Sequence, residues 1–468
     1  MNETGEWLGG RKQFKSGEIY SNQSYTLSKF WIVRNDPCFH SPYSAYNIKS
    51  GNKYKISSTA FIILKLFQKN RLSPERVREF LDKKSIKLDI NEIKDFILKF
   101  EGNSILTTTK NDISNKIPGR RNNSVNFEVP VTSTPYDSEV HLTNGCNLSC
   151  LHCVYDSGKK LPHQLEPNLW INVFDQLESL EIHHLIISGG EPLVYPEAKT
   201  LLKYLNNKRI RVELLTNGTL IDKSIIPYLA APNLSSTVSL DGIDDKTHGL
   251  LRGKGSFLSV AKGLKWLSNS KANFHIATTI HKKNSHQLKL LVEYAIELGA
   301  KSVNFILLDP LGRAKLHNHL LLDTNDKNNI EITVKQLYDV YSNDIKIGYF
   351  DPSVPNYKDL NAVNGSKKIY CTAGTTRMAI RSDGFIFPCV YAFHDNRFAM
   401  GTVLSQTIED IWLSEKWKPF RGGISLNQLN ECKSCSMVEF CTLKVCRLRG
   451  YYSTGNMFGP PPGCPKIK

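Results

Sequence analysis

The sequence of 468 residues contains no apolar run that approaches the ~20 residues of a membrane-spanning helix. No secretory signal is recognisable before residue 30, so we expect no disulfide framework for the 11 cysteines. Acidic side chains are outnumbered, since 44 Asp and Glu stand against 60 Lys and Arg, a formal net charge of +16. The length predicts two to four domains. These features favour a multidomain protein without a membrane span, whose clustered cysteines bind metal.

Three cysteines, Cys146, Cys150 and Cys153, form a Cys-x3-Cys-x2-Cys loop. Three thiolates on one loop can hold three irons of a four-iron cluster and leave the fourth iron open. Electron-transfer clusters usually use four cysteines, so this loop favours a cluster that binds a ligand and acts on it. The alternative is a zinc site in which His152 is the fourth ligand.

Polar groups follow successive predicted strands further along the chain. They are Gly189, Gly190, Glu191 and Pro192 after the first strand, Asn217 after the next, and Ser239 at the end of the third. The glycines allow backbone to approach a ligand closely, and Glu191 offers a carboxylate to a cationic ligand. Polar groups at the carboxyl ends of strands are typical of an active site on the face of a β/α barrel.

Together these motifs resemble those of radical S-adenosylmethionine (SAM) enzymes. The resemblance implies that Cys146, Cys150 and Cys153 hold a 4Fe-4S cluster, whose open iron binds the methionyl amine and carboxylate of SAM. It also implies that the Gly189 to Pro192 turn binds the methionyl amine. Ser239 and Arg252 would contact the carboxylate or ribose, and Asn217 the ribose. In that family one electron from the cluster cleaves SAM, and the 5′-deoxyadenosyl radical abstracts a hydrogen atom from the substrate.

Seven further cysteines follow residue 370, and their spacing resembles the SPASM iron–sulfur domain of radical enzymes that modify peptides. The resemblance assigns Cys432, Cys435, Cys441 and Cys464 to a distal 4Fe-4S cluster, and Cys371, Cys389 and Cys446 to a cluster nearer the active site. The chain would thus hold three 4Fe-4S clusters. Members of that family with a closed near cluster have an extra cysteine between the first two, and none lies between Cys371 and Cys389, so the resemblance implies an open iron in the near cluster. Its closure by Cys38 or a non-cysteine group is one alternative, and zinc ribbons are another.

The first 110 residues predict three short strands followed by three helices. That order resembles the PqqD-like recognition element, a winged-helix-like domain that binds the leader of a precursor peptide as an added strand. Residues 1–130 contain 22 Lys and Arg against 13 Asp and Glu, which suits an acidic leader. The alternative is a winged helix that binds nucleic acid or only stabilises the barrel.

We therefore predict an α/β protein with five segments. Residues 1–110 form the front domain, 111–135 a linker, 136–320 a partial (β/α)6 radical SAM barrel, 321–365 a connector, and 366–468 the SPASM domain. The stretch Leu311 to Ala314 resembles one that lies near the active site of peptide-modifying members. Asp309 lies at the carboxyl end of the sixth strand. We expect it to act as a general base or to form a structural salt bridge.

The predicted function is that of a radical SAM oxidoreductase that matures a ribosomally made peptide. It would form a cysteine thioether, as sactipeptide and ranthipeptide enzymes of bacteriocin biosynthesis do. Its partners would be a precursor peptide with its leader and an electron donor such as flavodoxin or ferredoxin. We expect no membrane or nucleic-acid partner, and a cytoplasmic location. The alternatives are carbon–carbon crosslinking, decarboxylation, or action on a folded protein or small molecule, as in anaerobic sulfatase maturases. A non-catalytic iron–sulfur or DNA-binding regulator is a further alternative.

Overall fold

The computed structural model describes residues 23–36, 42–108, 131–350, 368–369, 371–421, 424–425, 428–429, 431, 434–435, 446–461 and 464. Cys38, Cys432 and Cys441 lie outside these residues, so the predictions made for them have no structural counterpart here. Within the described part of the chain, no helix is both long and apolar enough to cross a membrane.

The front domain has the three predicted strands and three predicted helices in order, and two further short strands flank them. Its elements are β1 (Thr26–Leu27), β2 (Trp31–Asn35), β3 (Tyr43–Asn47), β4 (Lys53–Lys55), α1 (Ser58–Lys69), α2 (Pro74–Asp82), α3 (Ile90–Gly102) and β5 (Leu106–Thr107). β2, β3 and β4 form an antiparallel sheet in that order, and β1 pairs with β5. The helices begin where side chains cap them: Ser73 accepts a hydrogen bond from the Arg76 backbone, and Asp89 forms a capping box with Glu92.

A parallel sheet with helical connections follows. Its strands are β6 (Asp137–His141), β7 (His184–Ser188), β8 (Arg211–Thr216), β9 (Leu234–Ser239), β10 (Asn273–Ile280), β11 (Ser302–Leu307) and β12 (Lys346–Phe350). The helices are α4 (Pro167–Ser179), α5 (Ala198–Leu205), α6 (Ile226–Leu229), α7 (His248–Arg252), α8 (Ser256–Ser268), α9 (Leu288–Glu297) and α10 (Thr324–Tyr341). Alternate apolar side chains of the strands, such as Val212 and Leu214, are fully buried in one continuous core.

The predicted connector, residues 321–365, contains a further helix and strand. α10 leads into β12, which pairs in parallel with β11, so the parallel sheet has seven consecutive strands rather than the six predicted. The strand escaped prediction because it lies at an edge and no residue of it is fully buried. It therefore lacks the apolar run that indicates an internal strand.

The C-terminal region continues the same sheet. β14 (Arg377–Ile380) pairs in parallel with β6, and β15 (Phe385–Phe387) and β16 (Gly401–Thr402) add antiparallel strands. The full order is β12-β11-β10-β9-β8-β7-β6-β14-β15-β16, a mixed ten-stranded sheet. The remaining elements are β13 (Lys368–Ile369), α11 (Ile408–Trp412), α12 (Lys418–Arg421), β17 (Ile424–Ser425) and α13 (Arg447–Thr454).

The front domain is held against the residues that precede β6, β7 and β8. Arg34 is completely buried, pairs with Asp36 at 2.8 Å, and donates to the carbonyl oxygens of Thr134, Pro135 and Glu181 at 3.0 Å each. The ring of Tyr46 stacks on His183 with centroids 4.3 Å apart. Since these contacts lie at the amino ends of the strands, the front domain sits at the end of the sheet opposite the strand carboxyl ends.

Candidate active site

The strand carboxyl ends gather most of the residues predicted for the radical cluster and SAM. The loop with Cys146 follows β6, and the Gly189 to Pro192 turn follows β7. The turn packs directly on the loop, because Gly190 N donates to Thr143 O at 2.8 Å and Glu191 N donates to Gly145 O at 2.9 Å. The two segments therefore form one unit at the carboxyl ends of the parallel strands, a region that we call the mouth.

The two glycines are required by the chain's own backbone. Gly189 has φ +145°, and a Cβ added there would lie 2.4 Å from Thr143 O. A Cβ on Gly190 would lie 2.2 Å from Gly145 O. The prediction explained the glycines by close approach to a ligand, whereas the approach seen in the structure is that of the cysteine loop.

Glu191 is fully buried and holds the turn against β8. Its carboxylate accepts hydrogen bonds from Thr216 Oγ1 at 2.8 Å, Asn217 N at 2.7 Å and Leu193 N at 3.1 Å. Burial raises the pKa of Glu191, and these donors act against that rise. Its carboxylate is enclosed, so the surface that the turn offers to an amine is formed by its backbone.

Asn217 connects the end of β8 to the cysteine loop. Its Nδ2 donates to Asn147 Oδ1 at 2.9 Å and lies 4.0 Å from Cys146 Sγ, while its Oδ1 accepts from Thr219 N at 3.0 Å. Ser239 is the last residue of β9 and is half-buried. Both predicted residues therefore lie at the mouth, Asn217 beside the first cysteine.

The three loop thiols are half-buried and close enough to influence one another. Burial raises the pKa of Cys146 to about 11, and Cys150 and Cys153 add to this rise. Such thiols lose their protons readily only beside a cation, and metal ions provide one. Among the described residues no three His, Cys, Asp or Glu side chains converge on a single metal position. Three thiolates on one loop suit an iron cluster, which takes one thiolate per iron, whereas a structural zinc ion takes four protein ligands at one position.

His152 is directed towards a buried cation. Its Nε2 lies 3.4 Å from Nη2 of Arg252, and Arg252 Nε donates to Asp241 Oδ2 at 2.5 Å. Burial lowers the pKa of His152 to about 3, and the charge of Arg252 contributes. An imidazole whose Nε2 accepts from a guanidinium cannot ligate zinc through that nitrogen, and its Nδ1 has no hydrogen-bond partner among the described residues. Asp241, which the sequence reasoning did not select, fixes Arg252.

Three C-terminal cysteines, Cys371, Cys389 and Cys446, form a second group, which we call the near set. Burial raises the pKa of Cys446 to about 12, and Cys371 adds to the rise. The pKa of Cys389 is raised well above its ordinary value by burial and by both neighbouring thiols. Cys435 and Cys464 are half-buried.

An arginine beside the near set has two buried side-chain nitrogens without a hydrogen-bond partner within the described part of the chain. Arg447 is 6% exposed, and its Nε and Nη2 have no hydrogen-bond partner there. A buried guanidinium without an anion is costly. Thiolates that carry an iron cluster supply negative charge next to it, so the near set fits such a cluster.

Asp309 lies in a salt bridge, as one of the two predictions for it stated. It pairs with Arg449 of α13 and accepts from Tyr391 Oη at 3.1 Å. Arg313, in the stretch noted near the active site, was not selected as a site residue, yet its Nε donates to Cys150 O at 2.8 Å. Its partner is 163 residues away, so no local pattern reveals the contact.

Comparison with known proteins agrees with this arrangement. The chain matches the Radical SAM superfamily over residues 140–314 and the SPASM iron–sulfur cluster-binding domain over residues 371–436. It is 29% identical to the AdoMet-dependent heme synthase of Methanosarcina barkeri over 354 residues, 72% of this chain and 98% of that protein. It is 28% identical to the mycofactocin maturase MftC of Mycolicibacterium smegmatis over 331 residues, 69% of this chain and 81% of that protein.

The fold is also that of a solved structure, Streptococcus suis SuiB bound to its precursor peptide SuiA. The TM-score is 0.68 at 19% identity, with 91% of this chain and 96% of that chain covered. The two matched domains imply SAM and iron–sulfur clusters as cofactors. Residues 140–314 are thus a domain of the Radical SAM superfamily and residues 371–436 an iron–sulfur cluster-binding SPASM domain, consistent with an enzyme of this kind.

Proposed function

We propose that this enzyme matures a ribosomally made precursor peptide and forms a thioether between a cysteine sulfur and a carbon of the peptide. The observation that carries the proposal is that the near set lies beside the loop of Cys146, Cys150 and Cys153, which we call the radical-cluster loop. His394, which follows Cys389 by five residues, contacts Val154 O through Nε2 at 2.8 Å. If these three cysteines are its only ligands, one iron of a four-iron cluster stays open, and a substrate thiolate is a natural ligand for it.

The cofactor residues are those inferred from the sequence. Cys146, Cys150 and Cys153 hold the radical cluster; the Gly189 to Pro192 turn binds the methionyl amine; Asn217, Ser239 and Arg252 face the rest of SAM. Cys371, Cys389 and Cys446 hold the near cluster, and Cys432, Cys435, Cys441 and Cys464 the distal one. A flavodoxin or ferredoxin supplies the electron.

Bound SAM supplies the 5′-deoxyadenosyl radical that abstracts hydrogen. Formation of the carbon–sulfur bond removes one hydrogen atom from carbon, which would leave as 5′-deoxyadenosine, one proton from the thiol, and one electron, which the iron–sulfur cluster held by the near set would accept. The chain orients both reacting groups: the turn and Arg252 fix one side of the mouth, and the near set fixes the thiolate on the other.

The front domain binds the leader in this proposal. It has the strand and helix order expected of a leader-binding element, and β4 carries Lys53 and Lys55 on the side of its sheet away from β2. Two of the known proteins support a peptide substrate by name, since MftC is a maturase and SuiB was solved with a precursor peptide.

The position of the front domain sets a requirement on the precursor. The domain is fixed at the amino ends of the strands, and β10, of eight residues, spans about 26 Å at ~3.3 Å per residue. A bound leader must therefore be followed by at least about eight extended residues before a core residue reaches the mouth.

A small-molecule substrate is the second candidate. The heme synthase relative is matched over 98% of its own length but over only 72% of this chain. The part of this chain beyond the match distinguishes the candidates, because a small molecule needs no leader-binding domain.

The test uses reconstituted enzyme, SAM, a reductant and a cysteine-containing precursor encoded beside the gene. We expect a peptide short of two hydrogen atoms, with a crosslinked cysteine in fragment spectra. Deletion of about eight residues between leader and core should abolish the crosslink while leader binding persists. An unmodified precursor that also fails to bind the enzyme contradicts the proposal.

A further inference from the structure

One short segment contacts the radical-cluster loop at one end and residues that flank two cysteines of the near set at the other. Residues Asp309 to Arg313 follow β11, and Arg313 lies on the radical-cluster loop. Its backbone N donates to Cys153 O at 3.0 Å, its Nε to Cys150 O at 2.8 Å and its Nη1 to Ser157 O at 3.1 Å. One arginine thus satisfies three carbonyl oxygens of the loop, two of them belonging to cysteines.

Gly312 brings the segment into direct contact with the same loop. It has φ +57°, and a Cβ added to it would lie 2.3 Å from Cys153 O and 2.6 Å from Val154 Cα. Because no side chain fits there, the backbones of the segment and the loop pack on each other without an intervening layer.

The other end of the segment contacts residues that follow two cysteines of the near set. Asp309 is 8% exposed, pairs with Arg449, and accepts from Tyr391 Oη at 3.1 Å. Arg449 lies three residues after Cys446, and Tyr391 lies two residues after Cys389. Tyr452 Oη donates to Tyr391 O at 2.9 Å, which ties α13 to the segment after Cys389.

We infer that Asp309–Arg313 is a strut that sets the placement of the near set relative to the radical-cluster loop. The inference rests on the proposed function for its assignment of clusters to the two cysteine sets. Five residues span at most about 18 Å, and charge-assisted hydrogen bonds fasten both ends of the strut. Asp309 and Arg313 act as positioning residues: they keep a radical formed on the peptide within reach of the thiolate held at the near set.

The experiment compares variants at the two ends of the strut with a matched control. Arg313→Gln removes the three side-chain bonds to the loop, to Cys150 O, Asp156 Oδ1 and Ser157 O, and keeps the backbone bond. Asp309→Asn removes the charge that faces Arg449, and Tyr391→Phe is a milder change that removes only one hydrogen bond. The control is Lys315→Gln, which loses a positive charge two residues from Arg313 at an exposed position.

Three readouts are taken for each reconstituted protein with the cysteine-containing precursor. They are iron content, the electron paramagnetic resonance of the reduced clusters, and the 5′-deoxyadenosine released per crosslinked peptide. We expect iron content to match the control in all variants. Arg313→Gln should shift the resonance of the SAM-bound radical cluster. Asp309→Asn and Tyr391→Phe should weaken the magnetic coupling between the radical and near clusters and raise the 5′-deoxyadenosine ratio about tenfold, since a misplacement of ~1 Å can cost ~100-fold in rate.

The strut is wrong if these variants show the magnetic coupling, the resonance and the product ratio of Lys315→Gln. Failure of the proposed function has a different signature. In that case wild type and control cleave SAM but crosslink no peptide. The loss or retention of magnetic coupling in Asp309→Asn and Tyr391→Phe still tests the strut inference.

Discussion

The substitution Gly190→Ala tests the packing of the turn on the cysteine loop. Its Cβ would lie 2.2 Å from Gly145 O and 2.7 Å from Asn144 O, against an ordinary contact of 3.4 Å or more, so the two backbones must separate by about 1 Å. Neither neighbour is a flexible side chain, and overpacking of this kind costs about 3 kcal/mol. Because the displaced loop carries Cys146, we expect that cost to lower cluster loading by roughly 100-fold.

The matched control is Gly158→Ala, in the same loop. A Cβ on Gly158 has nothing within 4 Å, and Gly158 is not among the residues with positive φ. The assay is iron and sulfide per chain after anaerobic reconstitution, for which wild type and control should approach about 12 irons. Gly190→Ala should lose the four irons of the radical cluster and retain the rest. Iron content and SAM cleavage equal to those of Gly158→Ala would refute the reasoning.

Three further predictions concern buried charges. Arg34→Ala should cost about 3–5 kcal/mol of unfolding free energy, because it breaks a completely buried ion pair; Arg76→Ala, which breaks an exposed pair, should cost at most about 1 kcal/mol in the same denaturant titration. Burial, with the charges of Arg34 and Lys53, lowers the pKa of His183 well below its ordinary value, so unfolded chains take up a proton that the folded chain does not. His183 should account for about 2 kcal/mol of the stability lost between pH 6.5 and pH 5, and His183→Phe should remove that share; a pH slope equal to that of wild type would contradict it. Arg447→Gln should lower the reduction potential of the near cluster in a spectroelectrochemical titration, whereas Arg447→Lys should largely preserve it; equal potentials in wild type and Arg447→Gln would exclude the assigned charge interaction.

Short sequence patterns predicted the features whose residues lie close together in the chain. The cysteine loop was found because its three thiols lie within a few residues, and the turn after β7 because two glycines and Glu191 directly follow an apolar strand. The start of α2 was predicted because Ser73 and Pro74 suit the first turn of a helix.

Long-range contacts were beyond those patterns. The pairing of β14 with β6 joins residues about 240 positions apart, and the sequence of neither strand indicates which strand it pairs with. Arg313 satisfies carbonyls of a loop more than 150 residues earlier, so its function depends on the folded chain. The glycines of the turn were recognised as a motif, but their cause, the close backbone of Thr143 and Gly145, required the structure.

The most direct test of the central claim follows a hydrogen atom from peptide to cofactor. The reconstituted enzyme is given unlabelled SAM and a precursor deuterated at its carbon-bound positions. The account predicts deuterium in the 5′-deoxyadenosine released, together with a peptide that contains a cysteine thioether. If 5′-deoxyadenosine forms without deuterium and the peptide keeps its mass, the enzyme takes its hydrogen atom from another substrate, and the peptide maturase account is wrong.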